Sequence, residues 1–218
     1  RGGAGFMGGP GERQIESDRR QRTEQINRIK RKISKINNTR SLQRYRRKKN
    51  NLPIISLVGY TNSGKSTLFN SITNANSLSK NMLFASLDST IRKINIFQKK
   101  FVFVDTVGFI RALPTGLIEA FKSTLDEIQS SSIILHVRDI SNAENLEQKK
   151  EVLRVLNELG IENNDSRIID VINKIDLVKS KFCSENSFEN QISVSALHNF
   201  GVGELKKKIY EKIIKQIT

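Results

Sequence analysis

Residues 59 to 66 read Gly59-Tyr60-Thr61-Asn62-Ser63-Gly64-Lys65-Ser66, the spacing G-x-x-x-x-G-K-S, directly after the apolar run Ile54-Ile55-Ser56-Leu57-Val58. A buried strand, a glycine-rich loop and a lysine opening a helix make a phosphate cradle. Backbone N–H groups of such a loop point inward at a β-phosphate, and the helix N-terminus adds its dipole. Gly59 and Gly64 admit a close backbone approach that a Cβ would block. Lys65 is placed to reach β- and γ-phosphates, and the Ser66 hydroxyl to ligate Mg²⁺. Ser66-Thr67-Leu68-Phe69-Asn70 continues as a helix. The motif narrows the question to which nucleotide is bound and whether it is hydrolysed.

Four further segments follow in an order that suits a single site. Asp105-Thr106-Val107-Gly108 ends an apolar run, forty residues after Lys65. Asp105 is expected to hold Mg²⁺ through a water, and the Gly108 N–H to meet the γ-phosphate. Thr90, the only threonine between Asn74 and Asp105, is read within a polar loop that folds over the metal when γ-phosphate is present. These two loops should order with the triphosphate and relax after hydrolysis. Lys65, Thr90 and Gly108 are therefore the expected catalytic group, and Ser66, Thr90 and Asp105 the expected metal group.

The base is read by Asn173-Lys174-Ile175-Asp176 and by Ser195-Ala196-Leu197. A carboxylate at Asp176 can accept two hydrogen bonds from the N1–H and N2–H₂ edge of guanine. Adenine lacks that donor pair and would leave the carboxylate unpaired. Bonds of this kind can discriminate by roughly 10⁴-fold or more. Asn173 and the Lys174 stem would hold the loop and the base plane, and the Ala196 N–H could bond guanine O6. Together with Gly59 through Thr67, the residues Asp105, Gly108, Asn173, Lys174, Asp176, Ser195 and Ala196 form the expected nucleotide site, with GTP or GDP and Mg²⁺ as its ligands. Phe109 follows the DxxG glycine, where Ras-type proteins place a glutamine that orients the attacking water. A phenyl ring cannot hydrogen-bond that water. Either Phe109 packs on the core of a slow enzyme, or a partner supplies the missing help; both predict weak turnover alone.

From Leu52 onward, short apolar runs alternate with amphipathic stretches. Strands are expected at Ile54–Val58, Ile91–Phe97, Phe101–Asp105, Ile133–Val137, Ile168–Ile172 and Gln191–Val194. Helices are expected at Lys65–Thr73, Leu117–Gln129, Leu146–Leu159 and Gly203–Ile217. Such alternation predicts an α/β domain over 52–218: a mostly parallel six-stranded sheet with helices on both faces, one antiparallel hairpin at its side.

Charge divides the 218 residues unevenly. Residues 1–52 hold 16 Lys+Arg against 4 Asp+Glu, a balance of +12, whereas 53–218 hold 21 against 18, a balance of +3. The glycine-rich stretch 1–11 reads from composition as a flexible joint. Ile26, Ile29, Ile33 and Ile36 then repeat at heptad-like spacing among Arg and Lys. We read 12–51 as a basic helical hairpin: a helix from about Gln14 to Ile36, a turn at Asn37-Asn38-Thr39, and a second helix to about Lys49. Twelve excess positive charges point to an anionic partner. One cysteine, Cys183, excludes a disulfide framework and suits a reducing cytoplasm. No apolar run approaches the roughly 20 residues of a membrane span. His136 lies in a strand pattern and reads as a core histidine, Cys183 as inert. Arg111 is either a surface residue of the loop after Asp105 or a contact to a partner or phosphate.

With these residues in hand the chain resembles the HflX family of translational GTPases. The resemblance is carried by Gly9-Pro-Gly-Glu12 leading into Glu16-Ser-Asp-Arg-Arg20, by Gly59-Tyr-Thr-Asn62, by Leu83-Phe-Ala-Ser-Leu-Asp88, and by Asp105-Thr-Val-Gly-Phe-Ile-Arg111 with Leu113-Pro114. It implies a Ras-like P-loop GTPase domain and turns 1–11 into a defined joint after an N-terminal domain, most of which would lie upstream. It implies a monomer that binds the large ribosomal subunit and ribosomal RNA and helps split stalled or idle ribosomes. The setting would be the cytoplasm or an organelle of bacterial origin, with no DNA partner and no integral membrane association. Small departures exist: Ser63 stands where alanine is usual, Arg13 where threonine is, and Ser89 where proline is; Met7-Gly8 lacks a basic residue often found there. Two other classes compete with this reading. One is a nucleotide-gated RNA-binding module in which hydrolysis is incidental. The other is a membrane-surface GTPase, which the hairpin's lack of a bulky apolar face disfavours.

Overall fold

A computed structural model describes residues 19–28, 31, 34, 39, 52–74, 90–106, 108, 125–178 and 190–216. The chain divides into two compact units, Arg1–Lys49 and Asn50–Thr218. In the first, residues 19–28 are helical and solvent-exposed throughout. An i,i+4 pair, Arg20 with Glu24 at 3.6 Å, runs along this helix, and Thr23 Oγ1 donates to Arg19 O at 2.8 Å. Ile26, the first member of the apolar stripe, is about half exposed (52%). Thr39, expected in a turn, is helical. Asn37 and Asn38 of that expected turn lie outside the described residues. The joint at 1–11, the rest of the hairpin, Phe109, Arg111 and Cys183 lie outside the described residues.

The second unit is built on six strands: β1 (Ile54–Val58), β2 (Thr90–Ile96), β3 (Lys99–Asp105), β4 (Ile133–Asp139), β5 (Ile168–Asn173) and β6 (Gln191–Ser193). Their order is β2-β3-β1-β4-β5-β6, antiparallel between β2 and β3 and parallel elsewhere. Among the described residues, three α-helices accompany them, α1 (Lys65–Thr73), α2 (Asn145–Glu158) and α3 (Val202–Lys215), with a further helical stretch at 125–129. β1 and β4 are buried at every position. That burial explains why β1 reads as a nearly continuous apolar run, whereas β4 carries His136, Arg138 and Asp139 buried among its apolar residues. Alternate residues of β4 serve the two faces. Ile133, Leu135 and Val137 join α1 and α3 through Leu68, Phe69, Leu205 and Ile209. Ile134 joins α2 through Val152 and Leu156 on the other side.

Two sequence expectations need correction here. The strand expected at Ile91–Phe97 starts one residue earlier and stops at Ile96. Phe97 (φ 45°) and Gln98 (φ 66°) form the tip of the hairpin instead. A two-residue hairpin whose central residues both have positive φ matches the right-handed twist of its strands, and that geometry outweighs the strand preference of a phenyl ring. Thr90 is not in a polar loop: it opens β2 and pairs with Asp105. Of the helix expected at Leu117–Gln129, residues 117–124 lie outside the described residues and 125–129 are helical; the remaining element boundaries match those expected or differ by one or two residues.

Candidate nucleotide site

β1 is the middle of the sheet, flanked by β3 and β4, so the loop leaving its C-terminal end opens where the chain order reverses. Open α/β sheets bind ligands at such a point. Backbone conformation selects the loop's glycines. Gly64 sits at φ +89°, and a Cβ there would lie 2.2 Å from Asn173 Nδ2. At Gly59 the same atom would lie 2.2 Å from the Val137 carbonyl. α1 begins at Lys65 with Gly64 as its N-cap, no side-chain cap and no acid in its first turn. The first N–H groups of this helix therefore carry their positive end into the loop with no acid of the helix's own first turn to neutralise it. Lys65 is buried, and its Nζ donates to the Tyr60 carbonyl at 2.8 Å. Burial pushes the ammonium down to about 8, against the raising influence of Asp105. A buried cation beside an uncapped helix start fits an anionic ligand of phosphate type.

Asp105 ends β3, is 2% exposed, and accepts a hydrogen bond from Ser66 Oγ at 2.7 Å. That pair could hold a divalent cation in company with phosphate oxygens. Among the described residues no group of three His, Cys, Asp or Glu side chains could hold one alone. Mg²⁺ commonly takes one or two carboxylates plus substrate phosphates, so the donor set fits it. Because Thr90 and Asp105 are direct partners across an antiparallel ladder, their side chains leave the same sheet face. Thr106 anchors the next step of the chain by donating from Oγ1 to Leu57 O at 2.6 Å. Gly108 lies against the phosphate loop: a Cβ there would fall 2.9 Å from both Lys65 Nζ and Thr61 Cα.

The two segments expected to read a base come to the same end of the sheet. Asn173 is the fastening. Its Nδ2 donates to Ser63 O at 2.9 Å, and its Oδ1 accepts from the Ala196 N–H at 3.0 Å. The Ala196 donor, expected to face guanine O6, thus has a partner within the protein that a base oxygen would have to share. Asp176 accepts from Ser195 Oγ at 2.5 Å, and His198 Nε2 stands 3.9 Å from its other oxygen. Lys174 adopts φ 63°, its Nζ bonds Asp139 Oδ2 at 2.6 Å, and its stem passes Gly64. Its charge is thus held by Asp139 while its stem lies beside the glycine loop.

Sequence reading missed Asp139, Thr106 and the cluster behind the site. In that cluster Arg138 makes a two-pronged bond to Asp170 at 2.7 and 2.8 Å, and Lys149 joins at 2.9 Å. Burial pushes the Asp170 carboxyl up, but hydrogen bonds from Arg138 and Lys149 and the surrounding positive charge carry it below its ordinary value. His136, paired with Asp170 across β4 and β5, is fully buried, and its Nδ1 has no hydrogen-bond partner among the described residues. The only sequence signal was alternation of polar residues inside two apolar strands.

A family model described as "50S ribosome-binding GTPase" matches residues 54–174, and one described as "GTP-binding GTPase Middle Region" matches residues 1–47. A protein of Caldanaerobacter subterraneus named GTPase HflX is 41% identical over 99% of this chain and 49% of its own length. The GTPase HflX of Escherichia coli is 37% identical over 100% of this chain and 52% of its own. The chain spans about half the length of these curated relatives. Among solved structures, a GTP-binding protein from the archaeon Sulfolobus solfataricus, in complex with GDP, superposes with a TM-score of 0.62 at 30% identity. That match covers 91% of this chain and 62% of the other.

Proposed function

Because the chain belongs to the 50S ribosome-binding GTPase family, and within it to the HflX group, we propose that it binds GTP with Mg²⁺, hydrolyses it to GDP and phosphate, and acts on the large ribosomal subunit. The observation that carries the nucleotide reading is the pair of hydrogen bonds made by the Asn173 side chain. It joins the loop beside an uncapped helix start to the loop that holds Asp176. A phosphate-binding half and a base-reading half are thereby set side by side.

Each residue's part follows from its surroundings. The N–H groups from Gly59 to Thr67 and the Lys65 ammonium surround the phosphates, where developing negative charge is greatest. Lys65 is already desolvated, so its attraction for phosphate is stronger than a surface lysine's. Ser66 and Asp105 hold Mg²⁺, and Thr90 completes the metal group from the neighbouring strand. When bound, the cation neutralises charge on the phosphate oxygens. Gly108, whose lack of a side chain lets it lie on Lys65, reports the γ-phosphate through its N–H. Asp176 reads the guanine edge, oriented by Ser195. With Phe109 following Gly108, water is poorly oriented, and turnover is weak until a partner assists. The anionic partner of the basic 12–51 segment is ribosomal RNA, the setting is cytoplasmic, and the outcome is splitting of stalled or idle ribosomes. Among the described residues no helix is long and apolar enough to cross a membrane.

The base assignment is tested by Asp176→Asn. The amide donates where the carboxylate accepted, so GDP affinity should fall by 10²-fold or more, on the order expected for a buried mismatched polar pair. Xanthosine diphosphate, with a carbonyl in place of the amino group, should gain. Equal GDP affinity in both proteins would remove the guanine reading. Multiple-turnover hydrolysis of GTP with and without purified large subunits tests the rest; a rate unmoved by subunits would remove the ribosomal reading.

A further inference from the structure

The β2–β3 hairpin carries Arg92, Lys93, Lys99 and Lys100 and no acid before Asp105. Its +4 exceeds the +3 of the whole of residues 53–218, so the rest of that unit is close to neutral. None of the four cations has an ion-pair partner among the described residues; Arg92, Lys93 and Lys100 are exposed and Lys99 half-buried. Elsewhere in the unit, lysines and arginines such as Arg138, Lys149, Arg167 and Lys174 are tied to carboxylates. β2 is also an edge strand, so no neighbour covers it in the sheet.

The ladder register sorts these side chains. Asn95 pairs with Lys100 and Lys93 with Val102, which puts Lys93, Asn95 and Lys100 on one face as diagonal neighbours. With Leu52 and Ile94 they line an open depression of about 460 Å³. At the tip, Phe97 is 58% exposed, its ring held edge-on to Tyr210 with centroids 5.2 Å apart and planes at 66°. The ring rests on Tyr210, which packs on the sheet face opposite that of Lys93 and Lys100, so a strand bound to the lysines would pass round the hairpin tip to reach it. Unpaired cations with an exposed ring one turn away form a combination that grips a nucleic-acid backbone and stacks a base.

We propose that this hairpin is an RNA-binding surface of the GTPase unit, separate from the basic 12–51 segment, with Lys93 and Lys100 on phosphates and Phe97 on a base. RNA rather than another polyanion follows from the ribosomal reading above, on which this proposal rests. Edge-strand lysines can also serve only to prevent strand-to-strand aggregation, and the experiment separates the two.

The chain, loaded with a non-hydrolysable GTP analogue, is titrated with purified large subunits, with poly(U), and with phosphatidylglycerol vesicles over a series of KCl concentrations. For Lys93→Gln/Lys100→Gln the log–log salt slope on RNA should become shallower by about 1.4–1.8, roughly 0.7–0.9 per lost phosphate contact. Phe97→Ala should lower RNA affinity about tenfold, within the range for one stacked base, and leave the slope alone. A double variant of equal charge change elsewhere, Lys150→Gln/Lys207→Gln, should match the parent. Equal slopes for the hairpin variant and the parent, with more aggregation in the variant, would overturn the proposal in favour of edge protection. An equal loss in the control would reduce it to net charge, and a slope change on vesicles alone would replace RNA by a membrane. A parent that ignores subunits but shows the slope difference on poly(U) would overturn the ribosomal reading and keep the hairpin.

Discussion

Acidification should destabilise the GTPase unit by a route that runs through one side chain, His136. It is buried in the middle of β4 with Asp170 Oδ1 3.9 Å from its Nδ1. Burial pushes the imidazole from its ordinary 6.5 down to about 4. Asp170 pulls the other way, while Arg138, Lys149 and Lys65 add to the lowering. The unfolded chain therefore binds more protons than the folded one between those two values, so stability rises with pH across that window. It is fully present above 6.5 and lost as pH falls toward 4. A shift of about 2.5 pH units, from 6.5 to about 4, corresponds to ~3 kcal/mol at full protonation, of which ~2 kcal/mol is already lost by about pH 5. Asp170 does not interfere in this window, because its own carboxyl titrates below the usual carboxylate value. Urea unfolding of the parent and of His136→Phe at about pH 8 and about pH 5 measures the difference. Other groups contribute equally to both proteins and cancel. The parent should lose ~2 kcal/mol more than the variant, a large part of a typical domain's 5–15 kcal/mol. Parallel losses would show that His136 protonates in place, on Asp170, and would refute the burial argument.

Other substitutions probe the site and its support. Gly64→Ala should abolish nucleotide binding in a fluorescence titration, because the new methyl would sit 2.2 Å from Asn173 Nδ2 at φ +89°. Arg138→Met should cost about 3 kcal/mol in urea unfolding, the low end for breaking a buried ion pair since Lys149 still faces Asp170. Thr90→Ala should weaken GTP binding in the presence of Mg²⁺ about tenfold while leaving GDP binding unchanged, on the order of one lost charge-assisted contact. Equal effects on both nucleotides would remove Thr90 from the metal group.

Some of this architecture is legible in the chain because one physical requirement dominates locally. Ile54–Val58 and Lys65–Thr73 match their expected bounds to the residue. A run buried on both faces and a loop closed by glycines leave few alternatives. Phe97 misled for the opposite reason: its side chain favours a strand, but the twist of a short hairpin decided its backbone. The ties that assemble the site are not visible in sequence. Asn173 and Ser63 are separated by 110 positions, and nothing local to either segment encodes that bond. The same holds for Lys174, whose ammonium pairs with Asp139, 35 positions away. In the first unit the charge excess is plain from composition, and Thr39 is helical where the end of a turn is expected.

Asn173 makes the proposed site a two-point clamp of fixed span. A nucleotide that reaches from the phosphate loop to Asp176 engages both points, and the second contact forms at the high effective concentration set by a rigid spacer. Guanosine alone or pyrophosphate alone would enjoy only one point and bind weakly, while the joined ligand gains nearly the product of the two. Rigidity also means that the clamp opens as a whole. A factor that shifts either loop by enough to break the Ser63 or Ala196 bond loosens base and phosphate together, so nucleotide exchange can be triggered from whichever end a partner can reach.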